Sequence, residues 1–430
     1  MCLAGAQNAP DTGPAVSAKA RQIHDSAIVI DTHADTPQRF LDEGFDIGTV
    51  TPAGKGNIDL QKVRQGNLGA EFFSIWVEPG YYDGHYTRRA LDLIDSVYLQ
   101  AGKHPGQMVM AYSAADIVRA RTGPKKRLAA LLGVEGGHAI EADIRVLRDF
   151  YRLGVRYMTL TWSNTNEWAD SSGDVNDSKA HHHDGLTAFG KQVVAEMNRL
   201  GMMVDISHVA DKTFWDVMAE SKAPVIASHS SARALANHPR NMTDDMLKAM
   251  AKNDGVVMVN FYDAFLDENF RLAYAAQEPE RDAAVKANEE KLRAEGKPLN
   301  YAAEDQIEKE WANKIPHPPF KVLIDHIDHI AKVAGVEHVG LGSDFDGNPA
   351  MPQGMDSAAD LPKITQALLD RGYTARQIKA ILGGNLLRVF RRVEQVSREM
   401  QVVGYFDFGR SFRWPTTEMQ AQQKNAAASE

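Results

Sequence analysis

The chain has 430 residues, of which 43% are hydrophobic and 24% are charged, and its formal net charge is −9. This composition is typical of a globular protein with a large core, and the acidic balance argues against binding to nucleic acid or to an anionic membrane. The only cysteine, Cys2, excludes an internal disulfide framework and a zinc site made of cysteines. A metal ion would have to be held by His, Asp and Glu.

Residues 1–24 are interpreted as an N-terminal segment that precedes the folded part. Ala4-Gly5-Ala6 has the small residues of a signal-peptide cleavage site, but the charged and apolar parts of a secretory signal are missing. A signal remnant and an ordinary disordered start both fit this pattern. We expect a periplasmic or secreted protein and leave a cytoplasmic location open. The apolar runs are too short for a transmembrane helix, and the polar residues 421–430 encode no lipid anchor.

Short apolar runs alternate with helical patterns over residues 25–395, the predicted barrel. Such continuous runs are typical of parallel strands that are buried on both faces. Eight strand–helix units predict an α/β fold, a closed (β/α)₈ TIM-type barrel ringed by helices. The eight runs are Ala27–His33, Ala70–Val77, Leu128–Glu135, Val155–Trp162, Met202–His208, Val225–His229, Val256–Phe261 and His338–Asp344.

Three segments between and after these runs carry further expectations. The clearest amphipathic helix is predicted over residues 185–200. Residues 267–311 are rich in Glu, Lys, Arg and Ala, which predicts a helical insertion after the seventh strand, either a solvated face or a functional lid. Residues 396–430 are expected to form a C-terminal extension.

Ionisable residues stand at or just beyond the carboxyl ends of most of these runs. Active sites of barrels lie at that end of the strands, and His, Asp and Glu are ligands of zinc and similar metals. Each residue alone has a structural explanation, such as a turn aspartate or a hydrogen-bonded histidine. Their recurrence at one end of the barrel instead predicts a metal centre. The residues are His33, Asp35, Glu135, His208, His229 and Asp344.

Two other histidine positions are interpreted differently. His181, His182 and His183 lie in a polar stretch, and three consecutive side chains of an extended backbone cannot easily share one ordered ion. They are expected to form a solvated loop. His138 is close to Glu135 in sequence and is expected to support the ligands from behind.

The residues of these strand ends resemble the membrane (renal) dipeptidases, a metallopeptidase branch of the amidohydrolase superfamily. The resemblance covers roughly residues 25–395, and the motifs follow one another in the order that the family has. The matching motifs are Asp31–Asp35, Gly133–Gly137, Arg156–Thr161, Val204–His208, Ser228–Ala232, Arg240-Asn241, Val257–Tyr262 and Gly342–Gly347.

The resemblance implies two zinc ions per chain. His33 and Asp35 would hold the first ion, and His208 and His229 would hold the second. Glu135 would bridge the two ions. A hydroxide between them would attack the peptide carbonyl, and small dipeptides would be the substrates.

The resemblance also implies roles for two further residues. Arg240 would bind the free carboxylate of the substrate, since a guanidinium can grip a carboxylate with two charge-assisted hydrogen bonds. Asp344 would carry a proton from the hydroxide to the leaving amine. A homodimer is suggested by the same resemblance.

One position departs from the family pattern. Trp162 stands where the family often has a histidine that helps to stabilise the oxyanion, and tryptophan offers one N–H donor and no titration. Either a neighbour such as Asn164 or Asn166 takes that role, or the substrate differs, while Trp162 forms an aromatic wall of the pocket. The alternative functions are therefore an amidohydrolase for another amide, an N-acyl amino acid or a lactone, or a non-catalytic maturation or binding protein.

Overall fold

The computed structural model describes residues 11–411 except residues 53, 298 and 300, with side chains up to residue 401. The signal-like Ala4-Gly5-Ala6, Cys2 and the polar residues 421–430 lie outside the described residues. Nine strands are formed. They are β1 Val29–Ala34, β2 Leu68–Trp76, β3 Met108–Met110, β4 Leu128–Glu135, β5 Val155–Thr159, β6 Met203–Asp205, β7 Ile226–Ala227, β8 Val256–Val259 and β9 Val339–Leu341.

Eight of the strands form a parallel sheet in the order β1-β2-β4-β5-β6-β7-β8-β9. Its two edges meet just beyond β1 and β9, where the Asp35 N–H donates to the Phe345 carbonyl (2.8 Å) and the Asp344 N–H donates to the His33 carbonyl (3.0 Å). The predicted TIM-type barrel is therefore confirmed. The short strand β3 was not predicted, and it pairs only with the first residues of β4.

Helices surround the barrel and connect its strands. They are α1 Ala18–Asp25, α2 Thr36–Asp42, α3 Leu60–Gln65, α4 Tyr86–Lys103, α5 Ala114–Thr122, α6 Ile144–Arg152, α7 Ala188–Leu200, α8 Asp211–Glu220, α9 Asp244–Lys252, α10 Asp263–Leu266, α11 Glu268–Ala275, α12 Glu278–Ala294, α13 Tyr301–Ala312, α14 Lys321–Ala334, α15 Leu361–Asp370, α16 Ala375–Lys379 and α17 Asn385–Ser411.

Helix α7 starts three residues later than the sequence pattern indicates. Gly185 has a φ of 105°, which does not continue a right-handed helix. The Thr187 hydroxyl then accepts a hydrogen bond from the Gly190 N–H and caps the helix. Several strands likewise end earlier than predicted, and β6 stops at Asp205 rather than at His208. His33 and Glu135 lie in the last residues of β1 and β4. The other ionisable residues lie in the first residues of the loops that follow their strands, where their side chains can turn towards one centre.

The charge-rich residues 267–311 contain helices α11, α12 and α13. Only part of this segment is a solvated surface. No residue of α12 is buried, whereas Phe270 of α11 is buried and α13 packs against α2 at the rim of the barrel. The segment therefore returns to the end of the barrel that carries the metal-type residues.

The long helix α17 closes the opposite side of the molecule. Its Val393 and Val396 are buried, and the Ser397 hydroxyl donates to the Arg199 carbonyl at the end of α7 (2.7 Å). The described helices include none that combines the length and the apolar character needed to cross a bilayer.

Candidate metal centre

Glu135 lies at the middle of the site and faces two groups of side chains. Its Oε2 is 3.0 Å from His33 Nε2, and its Oε1 is 2.9 Å from His208 Nε2 and 3.5 Å from His229 Nε2. The side chain is buried, and Ser74 of β2 donates to Oε2 (3.0 Å). The two oxygens of this one carboxylate therefore face different imidazole nitrogens.

Glycines next to Glu135 give the surrounding groups their space. A Cβ on Gly137 would lie 2.2 Å from the Trp168 ring and 2.4 Å from the Leu160 carbonyl oxygen. Gly136 has a φ of 98°, which a residue with a side chain rarely adopts. Glycine at these two positions is thus required by packing and by backbone conformation.

The hydrogen bonds of His33 fix which of its ring nitrogens points into the site. Tyr157 donates its hydroxyl proton to the Thr32 carbonyl (3.0 Å), so His33 Nδ1–H must be the donor to the Tyr157 oxygen (2.7 Å). His33 Nε2 is then left as an acceptor that faces the carboxylates of Glu135 and Asp35, at 3.0 and 3.6 Å. Such an arrangement needs a cation or an extra proton between the groups. In the metal-free protein burial lowers the pKa of His33, but Tyr157 and Glu135 raise it well above the usual value.

His229 is oriented in the same way by a relay through Asp205. The Ser228 hydroxyl donates to Asp205 Oδ2 (2.5 Å), so its oxygen accepts the proton of His229 Nδ1 (2.8 Å). His229 Nε2 therefore presents a lone pair to the site, where His208 Nε2 is only 2.9 Å away. Two imidazole nitrogens that converge at this distance, beside a carboxylate oxygen, favour a shared cation.

His208 adopts a backbone conformation that is unusual for its residue type. Its φ is 67°, in the left-handed region, and its carbonyl accepts hydrogen bonds from the Ser172 hydroxyl and N–H at 2.9 and 2.7 Å. Burial and the nearby Arg240 lower the pKa of His208 to about 3. Burial also lowers the pKa of His229 well below its usual value. Both rings are therefore neutral at physiological pH, the state that binds a metal.

Asp35 and Asp344 lie beside His33 on the other side of Glu135. One ligand atom each of His33, Asp35 and Asp344 lies within 4.8 Å of the others. Gly347 packs between the two carboxylates, because a Cβ there would be 2.0 Å from Asp35 Oδ2 and 2.7 Å from Asp344 Oδ1. Burial and the carboxylates of Asp35 and Glu135 outweigh His33 and raise the pKa of Asp344 to about 8.

The residues present fit divalent cations. The buried Asp35 Oδ1 has no hydrogen-bond partner in the part of the chain that the structure describes. The Glu135 carboxylate faces the Nε2 atoms of His33 and His229, whose Nδ1 protons are donated away from the centre. Oxygen and imidazole donors of this kind suit zinc, and cysteine is absent from the cluster.

Arg240 lies against the His229 side of the site. Nη2 donates to the His229 carbonyl (3.1 Å) and Nη1 donates to the Ser230 hydroxyl (3.2 Å), while the buried Nε has no hydrogen-bond partner among the described residues. Burial lowers the pKa of Arg240 to about 10, so the guanidinium stays charged at neutral pH. Both acceptors of its described side-chain hydrogen bonds are neutral oxygens, a hydroxyl and a carbonyl. A buried cation with unused donors can bind an anionic group.

Trp162 forms part of an aromatic wall. Its ring lies 4.9 Å from the Trp76 ring and 6.3 Å from the His208 ring, measured between centroids. Asn164 has a buried amide oxygen without a hydrogen-bond partner among the described residues. The Asn166 amide donates to the Leu160 carbonyl and accepts from the Trp168 and Ala169 N–H groups. Asn166 therefore organises its own loop.

The histidines interpreted apart from the ligands lie outside the cluster. His138 Nε2 bonds to the Val77 carbonyl (2.8 Å) rather than to Glu135, and burial lowers the pKa of this ring. His181 and His182 are exposed, and His183 Nε2 bonds to the Asn166 carbonyl (2.9 Å).

The structure also brings in residues to which the sequence interpretation gave no role. Tyr157 and Asp205 lie inside the matching motifs, but nothing in the sequence shows that they orient His33 and His229. Asn260 donates to Asp344 Oδ2 (3.0 Å). Gly133 makes room for Tyr157, since a Cβ at Gly133 would lie 2.0 Å from the Tyr157 ring.

Comparison with known proteins identifies the family. The model of the membrane dipeptidase family, peptidase family M19, matches residues 17–403. The chain belongs to this family. The predicted family is thereby confirmed, and the centre described above lies where the barrels of metal-dependent hydrolases carry their active sites.

Curated relatives and a solved structure agree with this assignment. The chain is 34% identical to mouse Dipeptidase 3 over 86% of its own length, and the match spans 65% of that protein. It is 35% identical to an uncharacterised dipeptidase of Schizosaccharomyces pombe, covering 88% of this chain and 84% of that one. The crystal structure of the probable dipeptidase PvdM from Pseudomonas aeruginosa is similar, with a TM-score of 0.75, 25% identity, and coverage of 88% of this chain and 98% of that one.

Proposed function

We propose that this chain is a binuclear zinc dipeptidase that hydrolyses the peptide bond of small dipeptides. The observation that carries the proposal is the position of Glu135, whose two oxygens face His33 on one side and the His208–His229 pair on the other. His33 and Asp35 would hold one zinc ion, His208 and His229 would hold the second, and Glu135 would bridge them. The membership of the dipeptidase family supports this assignment.

The two ions, when bound, would supply a hydroxide nucleophile at neutral pH and polarise the carbonyl of the scissile bond. The protein contributes their geometry. Tyr157 and the Ser228–Asp205 relay hold the inward-facing nitrogens of His33 and His229 as acceptors. The burial of these groups reduces the screening of their charges by water.

Arg240 would hold the substrate at its carboxyl end. Its guanidinium is fixed by the His229 carbonyl and the Ser230 hydroxyl, so its position relative to His229, a candidate ligand, is set before substrate binds. A substrate carboxylate on Arg240 would bring the adjacent peptide bond towards His229 and Glu135. Binding of the substrate at its carboxylate, away from the reacting bond, would thus orient the scissile bond for attack.

Asp344 would move the proton. It lies within 4.8 Å of a His33 and an Asp35 ligand atom, and Asn260 holds its Oδ2. Burial and the neighbouring carboxylates raise the pKa of this carboxyl to about 8 in the metal-free protein, and bound cations would favour the ionised form that a base requires. Asp344 would accept a proton from the attacking water and deliver it to the amine that leaves.

The second candidate function is hydrolysis of another amide, an N-acyl amino acid or a lactone. Trp162 favours it, because this side chain offers one N–H donor where the family often has a titratable histidine. Within the first proposal, the Trp162 N–H or the Asn164 amide would assist the oxyanion. The homodimer expected from the resemblance is kept as a further part of the proposal, to be checked by light scattering.

Turnover of a substrate panel separates these functions. The purified, zinc-loaded protein would be assayed with L,L and L,D dipeptides, N-acyl amino acids and lactones. Cleavage of dipeptides with the highest kcat/KM supports the first proposal. Preference for lactones or N-acyl amino acids supports the second. Zinc binding without turnover of any class would support a maturation or binding protein.

A further inference from the structure

A cavity of about 1090 Å³ lies next to the metal centre at the rim of the barrel. It lies between the start of α2, the helix α13 of the insertion and the loop that follows Asp344. The volume of this cavity is much larger than one amino-acid residue of a substrate would need. Lining residues that matter here are Gln38, Arg39, Tyr301, Asp346 and Asn348.

The loop of residues 344–348 stands between this cavity and the candidate ligands. On the site side, Gly347 packs directly against the carboxylates of Asp35 and Asp344. On the cavity side, Asn348 donates its amide to the Asp344 carbonyl (2.7 Å) and lines the cavity. The metal centre and the cavity are thus neighbours, separated by one layer of chain.

Tyr301, the first residue of α13, completes that layer. Its hydroxyl donates to the Gly347 carbonyl (3.2 Å), and its ring packs edge-on against Trp76 with centroids 4.8 Å apart. Trp76 is paired with Glu135 in the sheet register and also packs on Trp162. The ring of Tyr301 therefore extends the aromatic wall of the site up to the cavity that it lines.

The positions of Arg240 and Tyr301 define the two ends of the site. Arg240 is bonded to the His229 carbonyl, on the side of the second ion. Tyr301 is bonded to Gly347, which packs on Asp35 and Asp344, on the side of the first ion. A dipeptide whose carboxylate lies on Arg240 and whose peptide bond lies at Glu135 must direct its amino end towards Tyr301.

We propose that Tyr301 is a specificity-determining residue that closes the amino-terminal end of the substrate site against the cavity. This inference rests on the proposed dipeptidase function. With the ring in place, a residue added before the dipeptide meets the aromatic wall. Without the ring, the added residue would extend into the cavity. Restriction to two residues would thus be set at the amino end by a side chain of the insertion.

The reaction on the longer substrate is the same hydrolysis. In a tripeptide Gly-X-Y the carboxylate of Y would lie on Arg240, and one water would be added across the X–Y bond. The C–N bond breaks, the amine of Y takes a proton, and Gly-X leaves with a new carboxylate. The difference between the two substrates is the amino-terminal glycine, which would lie in the cavity in the variant that lacks the ring.

The test compares the wild type with Tyr301→Ala and with the matched control Tyr301→Phe. For each protein, kcat/KM is measured for the best dipeptide X-Y and for Gly-X-Y. We expect the tripeptide-to-dipeptide ratio of Tyr301→Ala to rise about tenfold or more, since a pocket contact of this size contributes that much to selectivity. Tyr301→Phe keeps the ring and should stay within about twofold of the wild type. An unchanged ratio in Tyr301→Ala, or an equal rise in Tyr301→Phe, overturns the inference.

A binding measurement keeps this test separate from the proposed function. If the wild type hydrolyses no dipeptide, the dipeptidase proposal fails. Calorimetry with reduced-amide analogues of X-Y and Gly-X-Y still measures whether the Tyr301 ring blocks the longer ligand. Stronger binding of the longer analogue to Tyr301→Ala than to Tyr301→Phe is expected, and equal binding overturns the inference. Circular dichroism and zinc content of each variant establish that the fold and the metal centre are intact.

Discussion

Replacing Arg240 should remove the preference of this protein for substrates that end in a free carboxylate. A guanidinium has five N–H donors, of which two are used by the His229 carbonyl and the Ser230 hydroxyl. Three donors remain, and a carboxylate takes two of them. At about 1.5 kcal/mol for each hydrogen bond to a charged group, the interaction contributes about 3 kcal/mol, which is roughly 150-fold in kcat/KM.

The assay is a cycle of two proteins and two substrates. The kcat/KM of the wild type and of Arg240→Ala is measured with a dipeptide and with the same dipeptide carrying a C-terminal amide. The loss of about 150-fold should be confined to the free carboxylate, while the amide loses little. Arg240→Lys keeps the charge but not the planar fork, and an intermediate loss is expected.

Equal losses on both substrates would refute this reasoning. Such a result would mean that Arg240 acts through His229 and Ser230, whose positions it also supports, and not through the substrate. Zinc content of the variant distinguishes a disturbed metal centre from a lost substrate contact. Arg88→Ala, at an exposed surface ion pair with Asp92, is a control that should change neither substrate.

Three further predictions concern the proton carrier and the ligand supports. Asp344→Asn should keep its zinc and lose turnover by at least about 100-fold, and a rate near the wild type would exclude Asp344 from the mechanism. Tyr157→Phe removes the acceptor of the His33 Nδ1–H and should weaken zinc binding about 10- to 100-fold in a chelator competition; unchanged affinity would contradict that role. The third prediction concerns the metal-free protein, in which folding raises the pKa of Asp344 from 3.8 to about 8. The buried carboxyl favours the folded state in its protonated form, and this contribution to the free energy of unfolding is complete below pH 3.8 and is lost as the pH rises to 8. Urea unfolding should show wild type losing at least about 1.4 kcal/mol relative to Asp344→Asn over this range, and a difference independent of pH would refute the assignment.

The barrel was predictable because its strands are buried on both faces. Every residue of β1, β2 and β4 is buried, and such strands appear in the sequence as continuous apolar runs. The three residues of β3 are also apolar, but their run is short and only Met108 is fully buried. The strand exists through its pairing with β4, which depends on the tertiary structure and not on local sequence.

The candidate ligands were predictable for a different reason. His33, Glu135 and His229 are the last residues of predicted strands, so the barrel geometry alone brings them to one rim. The groups that orient them could not be predicted. Tyr157 reaches His33 across the barrel from β5, and its contribution depends on a hydroxyl geometry that no local pattern encodes.

The role of Tyr301 in the helical insertion, residues 267–311, could not be predicted from the sequence either. Its charge-rich composition indicates a solvated helix, and α12 has no buried residue. Tyr301 lies in that same segment, and its contact with Gly347 depends on how α13 packs against α2. Composition describes the average of a segment, whereas specificity depends on one side chain within it.

The central claim is tested most directly by titrating the metal-free protein with zinc while dipeptide hydrolysis is followed. Our account predicts that turnover is absent at the start and rises until two zinc ions are bound per chain. Full turnover without metal, or saturation of two sites without dipeptide hydrolysis, would contradict it.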